Sequence, residues 1–184
     1  MVLTILWHVL LFLLYAWGTL ADLAECLGPS LASHLVTPSS ADYETLSTGL
    51  LARVPRSPSA ILELQSLSDV ATAVRCAREN GISPVARSGK HSYESLSSMD
   101  GQLVMDLAKC KVVTVDASRR VAAIEAGATL GQVYTHLWYH GEFAFNAGNC
   151  PSVGVGGHFL GGGKGFESRS HGLASDQIRE VRLP

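Results

Sequence analysis

Gly148-Asn149-Cys150-Pro151-Ser152-Val153-Gly154-Val155-Gly156-Gly157-His158, continuing to Gly161-Gly162-Gly163-Lys164-Gly165, is the stretch on which the fold reading turns. It sets one nucleophilic side chain, Cys150, among residues small enough for backbone amides to crowd a ligand. Well upstream, Arg87-Ser88-Gly89-Lys90-His91-Ser92-Tyr93 does the same for His91. Converging backbone N–H donors are what a pyrophosphate needs, and glycine permits the close approach. Ser88, Gly89, Lys90, His91 and Ser92 can supply such a nest, with serine hydroxyls as further donors.

Working outward, two familiar phosphate motifs fail. A P-loop needs glycine, four residues, then Gly-Lys-Ser/Thr. Here Gly163-Lys164 runs into Gly165, and His158 stands where the first glycine belongs. The Gly-x-Gly-x-x-Gly fingerprint fails at Phe159, three positions after Gly156. His91, Cys150, His158 and His171 lack the paired spacing of zinc ligands.

The flanking chain alternates strand and helix signals. Ala60 to Leu64 and Pro84 to Ala86 are short apolar strand patterns, as are Leu103 to Leu107, Val112 to Asp116 and Val121 to Glu125. Ala117 to Arg120 forms a hairpin connection between the last two. A further strand is expected around Val181. Leu67, Val70, Ala71, Val74 and Ala77 recur at helical spacing behind a Ser66–Asp69 capping box. That stripe puts Cys76 on the helix flank, away from the sheet. A second helix is predicted over 130–140, with Thr129 and Gln132 as its capping box. Its apolar face is Leu130, Val133, Tyr134, Leu137 and Trp138, and Gly141 follows as a C-terminal stop. The pattern is α+β.

Composition excludes some functions. Lys+Arg total 14 against Asp+Glu 16 in 184 residues, so no basic surface for nucleic acid is expected. Residues 1–21 carry no charged side chain and end in Thr19-Leu20-Ala21, the pattern of a secretory signal peptide, with an uncleaved anchor as the competing reading. The expected division is therefore 1–21 signal peptide, 22–56 an N-terminal segment and 57–184 the main domain, in a secreted protein with no stable membrane association once cleaved. Four cysteines are present: Cys26, Cys76, Cys110 and Cys150. Cys110, between Lys109 and Lys111, reads as an inert buried thiol.

The two glycine-rich segments together resemble the flavin-attachment segments of the berberine bridge enzyme-like oxidases. These belong to the vanillyl-alcohol oxidase and p-cresol methylhydroxylase flavoprotein superfamily. The resemblance extends through Ala60 to Ala77, Val113 to Asp116, Glu125 to Gly131 and His171 to Asp176. It implies an FAD-binding domain of the p-cresol methylhydroxylase type, incomplete at its C-terminus. It also implies FAD as cofactor, with His91 bonded to the flavin 8α-methyl and Cys150 to C6. The residues it places at the cofactor are Arg87, Ser88, Gly89, Lys90, His91, Ser92, Tyr93, Gly148, Cys150, Pro151, Val153, Gly154, Gly156, Gly157, His158, Gly172 and Asp176. The family often links the places where Cys26 and Cys76 stand, making a disulfide between them the expectation and two free thiols the alternative.

By the same resemblance, a full-length relative oxidises a small organic or carbohydrate substrate and returns electrons to dioxygen. Val153, small and β-branched, is compatible with oxygen reaching the ring. The catalytic base and the substrate domain are expected to lie outside this chain, so no residue here is assigned as base. A non-catalytic secreted interaction protein and an inactive fragment are the alternatives. The chain departs from the family's usual small residue at Lys90, whose side chain has two destinations, the pyrophosphate or solvent. It departs again at Leu160 and Lys164.

Overall fold

The computed structural model describes residues 20–183, so the expected signal peptide falls almost wholly outside the described residues. Among the described residues, no helix is long and apolar enough to cross a membrane. A helix, α1, covers 20–32. It is followed by β1 (Leu35–Val36), α2 (Tyr43–Ser47), β2 (Ala60–Glu63), α3 (Ser68–Glu79) and β3 (Pro84–Arg87). Then come β4 (Leu103–Asp106), β5 (Val113–Asp116), β6 (Val121–Ile124), α4 (Leu130–Tyr139), α5 (Val155–Leu160) and α6 (Ser168–His171).

Four strands form one sheet in the order β1-β2-β4-β3, with β2, β4 and β3 parallel and β1 antiparallel at one edge. The sequence explains the placement. β4, Leu103-Val104-Met105-Asp106, is buried at every residue, as a central strand covered on both faces must be. β3 alternates exposed and covered residues and begins with Pro84, which a sheet tolerates at an edge or a first position. β5 and β6 pair as a separate antiparallel hairpin, Val113 opposite Ile124 and Asp116 opposite Val121.

Two hydrophobic clusters result. The first joins Leu23, Leu27 and Leu31 of α1 to Ala60 and Leu62 of β2, Ala73, Cys76 and Ala77 of α3, and Leu103 and Met105 of β4. The α1 leucines sit at i, i+4 and i+8 on one helix face. Each such burial stabilises by about 1.5–3 kcal/mol. The second cluster holds Val113, Ala128, Leu130, Val133, Leu137, Ala147, Val155 and Ala174.

Several expectations need correction. The buried face of α3 is Ala73, Cys76 and Ala77, while Leu67 and Val74 are exposed. Small side chains let the helix sit close on the sheet, and that close approach outweighs the size of the residues left outside. Cys76 is thus in the core rather than on an outer flank, yet its disulfide with Cys26 is present, Cα atoms 5.6 Å apart. Of the Ser66–Asp69 box only half forms: Asp69 Oδ2 accepts from Ser66 N–H at 2.9 Å, while the Ser66 hydroxyl bonds to Ser68. Trp138 lies off the buried face of α4, 59% exposed. No strand forms at Val181, which is 64% exposed in an irregular segment.

The second capping box is complete. Gln132 N–H donates to Thr129 Oγ1, and Thr129 N–H donates to Gln132 Oε1 at 2.9 Å. Thr129→Ala leaves the N-terminal amide of α4 without its acceptor and is expected to cost about 1 kcal/mol, read as a lowered urea midpoint at unchanged slope.

Candidate cofactor site

The site draws on two stretches of chain, the loop that follows β3 and the loop between α4 and α5. β3 ends at Arg87 and the chain leaves directly as Ser88 to Tyr93. Open α/β sheets present ligands at such carboxyl strand ends. Arg87 itself faces inward. Its parallel register places it beside Asp106, and its Nη2 lies 2.6 Å from Asp106 Oδ2. Nη1 donates to the Leu46 carbonyl at 2.8 Å and to Ser98 Oγ at 3.0 Å. The guanidinium is therefore used within the fold, and Arg87 serves the loop by fixing where it starts.

Lys90 holds φ at 60°, a left-handed conformation in which side-chain-bearing residues are uncommon. A left-handed residue within such a loop favours a concave nest of N–H donors. Among the described residues, the N–H groups of Gly89, Lys90, His91, Ser92 and Tyr93 donate to no backbone carbonyl. The Lys90 ammonium turns inward rather than into open solvent, reaching to 3.5 Å from the Leu46 carbonyl. Burial, followed by the Arg87 charge, lowers its pKa. Tyr93 points outward, 67% exposed.

The Cys150 loop is pinned to the start of α4. Gly131 N–H donates to the Pro151 carbonyl and Leu130 N–H to that of Val153, each at 2.9 Å. Val155 N–H reaches the Ala128 carbonyl, also at 2.9 Å. Tyr134 donates its hydroxyl to the Gly148 carbonyl at 2.6 Å. His158 Nε2 accepts from Gly148 N–H at 2.9 Å, and burial lowers its pKa, favouring the neutral ring that can accept. Gly172 gives its carbonyl to Asn146, and Asp176 accepts from Leu173 N–H at 2.7 Å, so both shape the turn behind the loop.

The halves meet backbone to backbone at Gly89 and Gly154. A Cβ on Gly154 would fall onto Ser88 Oγ and the Gly89 nitrogen, and one on Gly89 would fall onto the Gly154 nitrogen. Gly156 comes close to the Ala126 carbonyl, which also receives the Ser88 hydroxyl at 2.6 Å. Gly157, by contrast, has nothing within 4 Å of where its Cβ would stand.

Across this junction His91 Nε2 and Ser152 Oγ are 2.9 Å apart, and Cys150 Sγ lies 3.4 Å from the same hydroxyl. Two side chains far apart in sequence thus share one small group. The Cys150 thiol is exposed, and the Ser152 hydroxyl, followed by the Ser152 backbone amide, lowers its pKa. Cys110 is the opposite case: burial pushes its thiol up to about 11, which leaves it inert at neutral pH. Sequence reasoning missed Ser152 and the Ala126 carbonyl. A hydroxyl residue two positions after the cysteine was the available signal for the first.

A family profile described as "FAD binding domain" matches residues 58–183. The xylooligosaccharide oxidase of Thermothelomyces thermophilus is 40% identical over 160 residues, 86% of this chain and 32% of that protein. Berberine bridge enzyme-like 18 of Arabidopsis thaliana is 44% identical over 133 residues, 71% of this chain and 25% of that protein. Among solved structures, glucooligosaccharide oxidase from Acremonium strictum, described with a 6-S-cysteinyl, 8α-N1-histidyl FAD, superposes with a TM-score of 0.78 at 37% identity. That match covers 84% of this chain and 33% of the other. The chain spans about a third or less of the length of these relatives. With its fold, its glycine junction and a profile match over most of its length, the chain belongs to the FAD-binding domain family of the berberine bridge enzyme-like and oligosaccharide oxidases, a family of FAD-linked oxidoreductases.

Proposed function

We propose that this chain holds FAD across the Gly89–Gly154 junction and attaches it through both His91 and Cys150. It would form the flavin part of an oxygen-dependent oxidase acting on a small carbohydrate. The observation that carries this reading is the shared Ser152 hydroxyl, which brings an imidazole and an exposed thiol to one place. An imidazole and a thiolate are the side chains suited to attack an electron-poor ring.

The residues present fit the cofactor. The amides of Gly89 to Tyr93, which among the described residues donate to no backbone carbonyl, offer a pyrophosphate its donors, with the Ser88 and Ser92 hydroxyls beside them. Gly148, Pro151, Val153, Gly156, Gly157 and His158 line the loop that would lie along the ring, and Gly172 and Asp176 hold the turn behind it. Bound FAD would supply the redox chemistry by accepting a hydride from substrate. The chain's own contribution is to bind, orient and tether. A carbohydrate substrate is supported by the names of the oligosaccharide oxidases among the relatives. The Cys26–Cys76 disulfide supports an oxidising, secretory location.

Acid denaturation tests the reading. The purified chain is expected to keep yellow colour and in-gel flavin fluorescence on its band after denaturation. His91→Ala and Cys150→Ala should each keep one link, and the double variant none. A colourless wild-type band would sink the proposal.

A further inference from the structure

The Ser152 hydroxyl has one proton to give and lone pairs to receive with, and it stands between two groups that must each be in a particular protonation state to attack. If that proton went to His91 Nε2, the ring's own hydrogen would sit on Nδ1 and neither nitrogen would have a free lone pair. The sulfur would meanwhile gain no donor from Ser152. The opposite polarity serves both partners at once.

We propose that Ser152 is a positioning residue that accepts the Nε2–H of His91 and donates its own proton to Cys150 Sγ. Nδ1 of His91 is thereby left with its lone pair exposed, and the thiolate form of Cys150 is stabilised. The proton released from the thiol goes to solvent, and no bond to carbon is made or broken in this step. The inference rests on the attachment reading above and adds the residue that prepares both attachments.

The surroundings leave the hydroxyl as the group that acts. From α4, Tyr134 reaches this loop, but its hydroxyl is engaged at the Gly148 carbonyl. From α5, His158 is engaged at the Gly148 amide. From the loop after β3, His91 arrives through Ser152 itself. Among the described residues, no carboxylate or ammonium is hydrogen-bonded to Cys150, Ser152 or His91. The lowered pKa of Cys150, caused first by the Ser152 side chain, agrees with donation toward sulfur. The Ser152 backbone carbonyl packs near Gly89, so removing the hydroxyl leaves the junction's main-chain contacts in place.

The test needs no flavin chemistry. Alkylation of Cys150 by iodoacetamide is followed against pH in flavin-free chain, with peptide mass identifying the site. Ser152→Ala should move the reactivity profile to higher pH and slow alkylation near neutrality by about threefold or more. Ser152→Thr keeps a hydroxyl and should stay near wild type. His91→Ala should retain most of the reactivity, because the Ser152 proton still reaches sulfur. An unshifted profile for Ser152→Ala with native circular dichroism would overturn the proposal. So would a loss in His91→Ala as large as in Ser152→Ala, since the imidazole would then govern the thiol. Covalent flavin in the wild type is scored separately on acid-denatured bands, so failure of the attachment reading and failure of this one give different results.

Discussion

Asp106→Ala is expected to lower folding stability by about 3–5 kcal/mol, a shift of about 2 M in the urea midpoint. Arg87 and Asp106 have side-chain exposures of 0% and 4%, with 2.6 Å between Nη2 and Oδ2. Removing the carboxylate leaves a guanidinium buried without its counter-charge. The desolvation cost already met in folding is then no longer offset. Arg87 Nε also donates to Oδ2 at 3.2 Å and the Ala108 N–H donates to Oδ1 at 3.0 Å, so one substitution strips three hydrogen bonds. Replacing both partners by apolar residues, as in an Arg87→Met, Asp106→Leu pair, should recover much of the loss, because no unpaired charge remains. A single variant as stable as wild type would refute this account of the pair.

Gly154→Ala is expected to reduce covalent flavin yield by at least about tenfold, because misplacing reacting groups by about an ångström is enough for losses of this size. The new methyl would meet Ser88 Oγ and main-chain atoms of Gly89, which have no side-chain freedom with which to yield. The two loops must separate, and His91 moves away from Ser152 and Cys150. The stability cost should be smaller than for Asp106, about 1–3 kcal/mol, since the strain lies at a junction rather than inside a cluster. Gly157→Ala, whose methyl meets nothing within 4 Å, should cost little stability and serves as the control for a methyl added where there is room. Fluorescence of acid-denatured bands measures the yield; wild-type yield in Gly154→Ala would show that the junction tolerates opening.

What could be read in the sequence was local. The Thr129–Gln132 box, the hairpin at Ala117 to Arg120 and the strands at Ala60 and Leu103 each depend on a few neighbouring residues, and each is found. The two glycine-rich segments were legible as a pair because both carry a nucleophile among small residues, and the fold does bring them together. The face of α3 was not legible. Periodicity weights large apolar residues, whereas packing against the sheet selected Ala73, Cys76 and Ala77. Arg87 opens the segment that the resemblance places at the cofactor, yet its guanidinium is spent inside the fold. Its pairing with Asp106 depends on strand register, and short-range pattern cannot supply that. The buried leucines of α1 show helical spacing in sequence. Their docking onto β2 and β4 is a long-range event that the disulfide secures.

The meeting of His91 and Cys150 has a mechanical consequence. A flavin bonded to both would close a long covalent ring through β4, the β5–β6 hairpin and α4, tying the loop after β3 to the loop after α4. The Cys26–Cys76 bridge closes a separate ring with a sequence separation of 50, lying wholly within the first cluster. By loop-closure reasoning a ring of such length removes about 4 kcal/mol of unfolded-state entropy. The cofactor would then act as a staple as well as a redox group, clamping the two loops beside their Gly89–Gly154 junction.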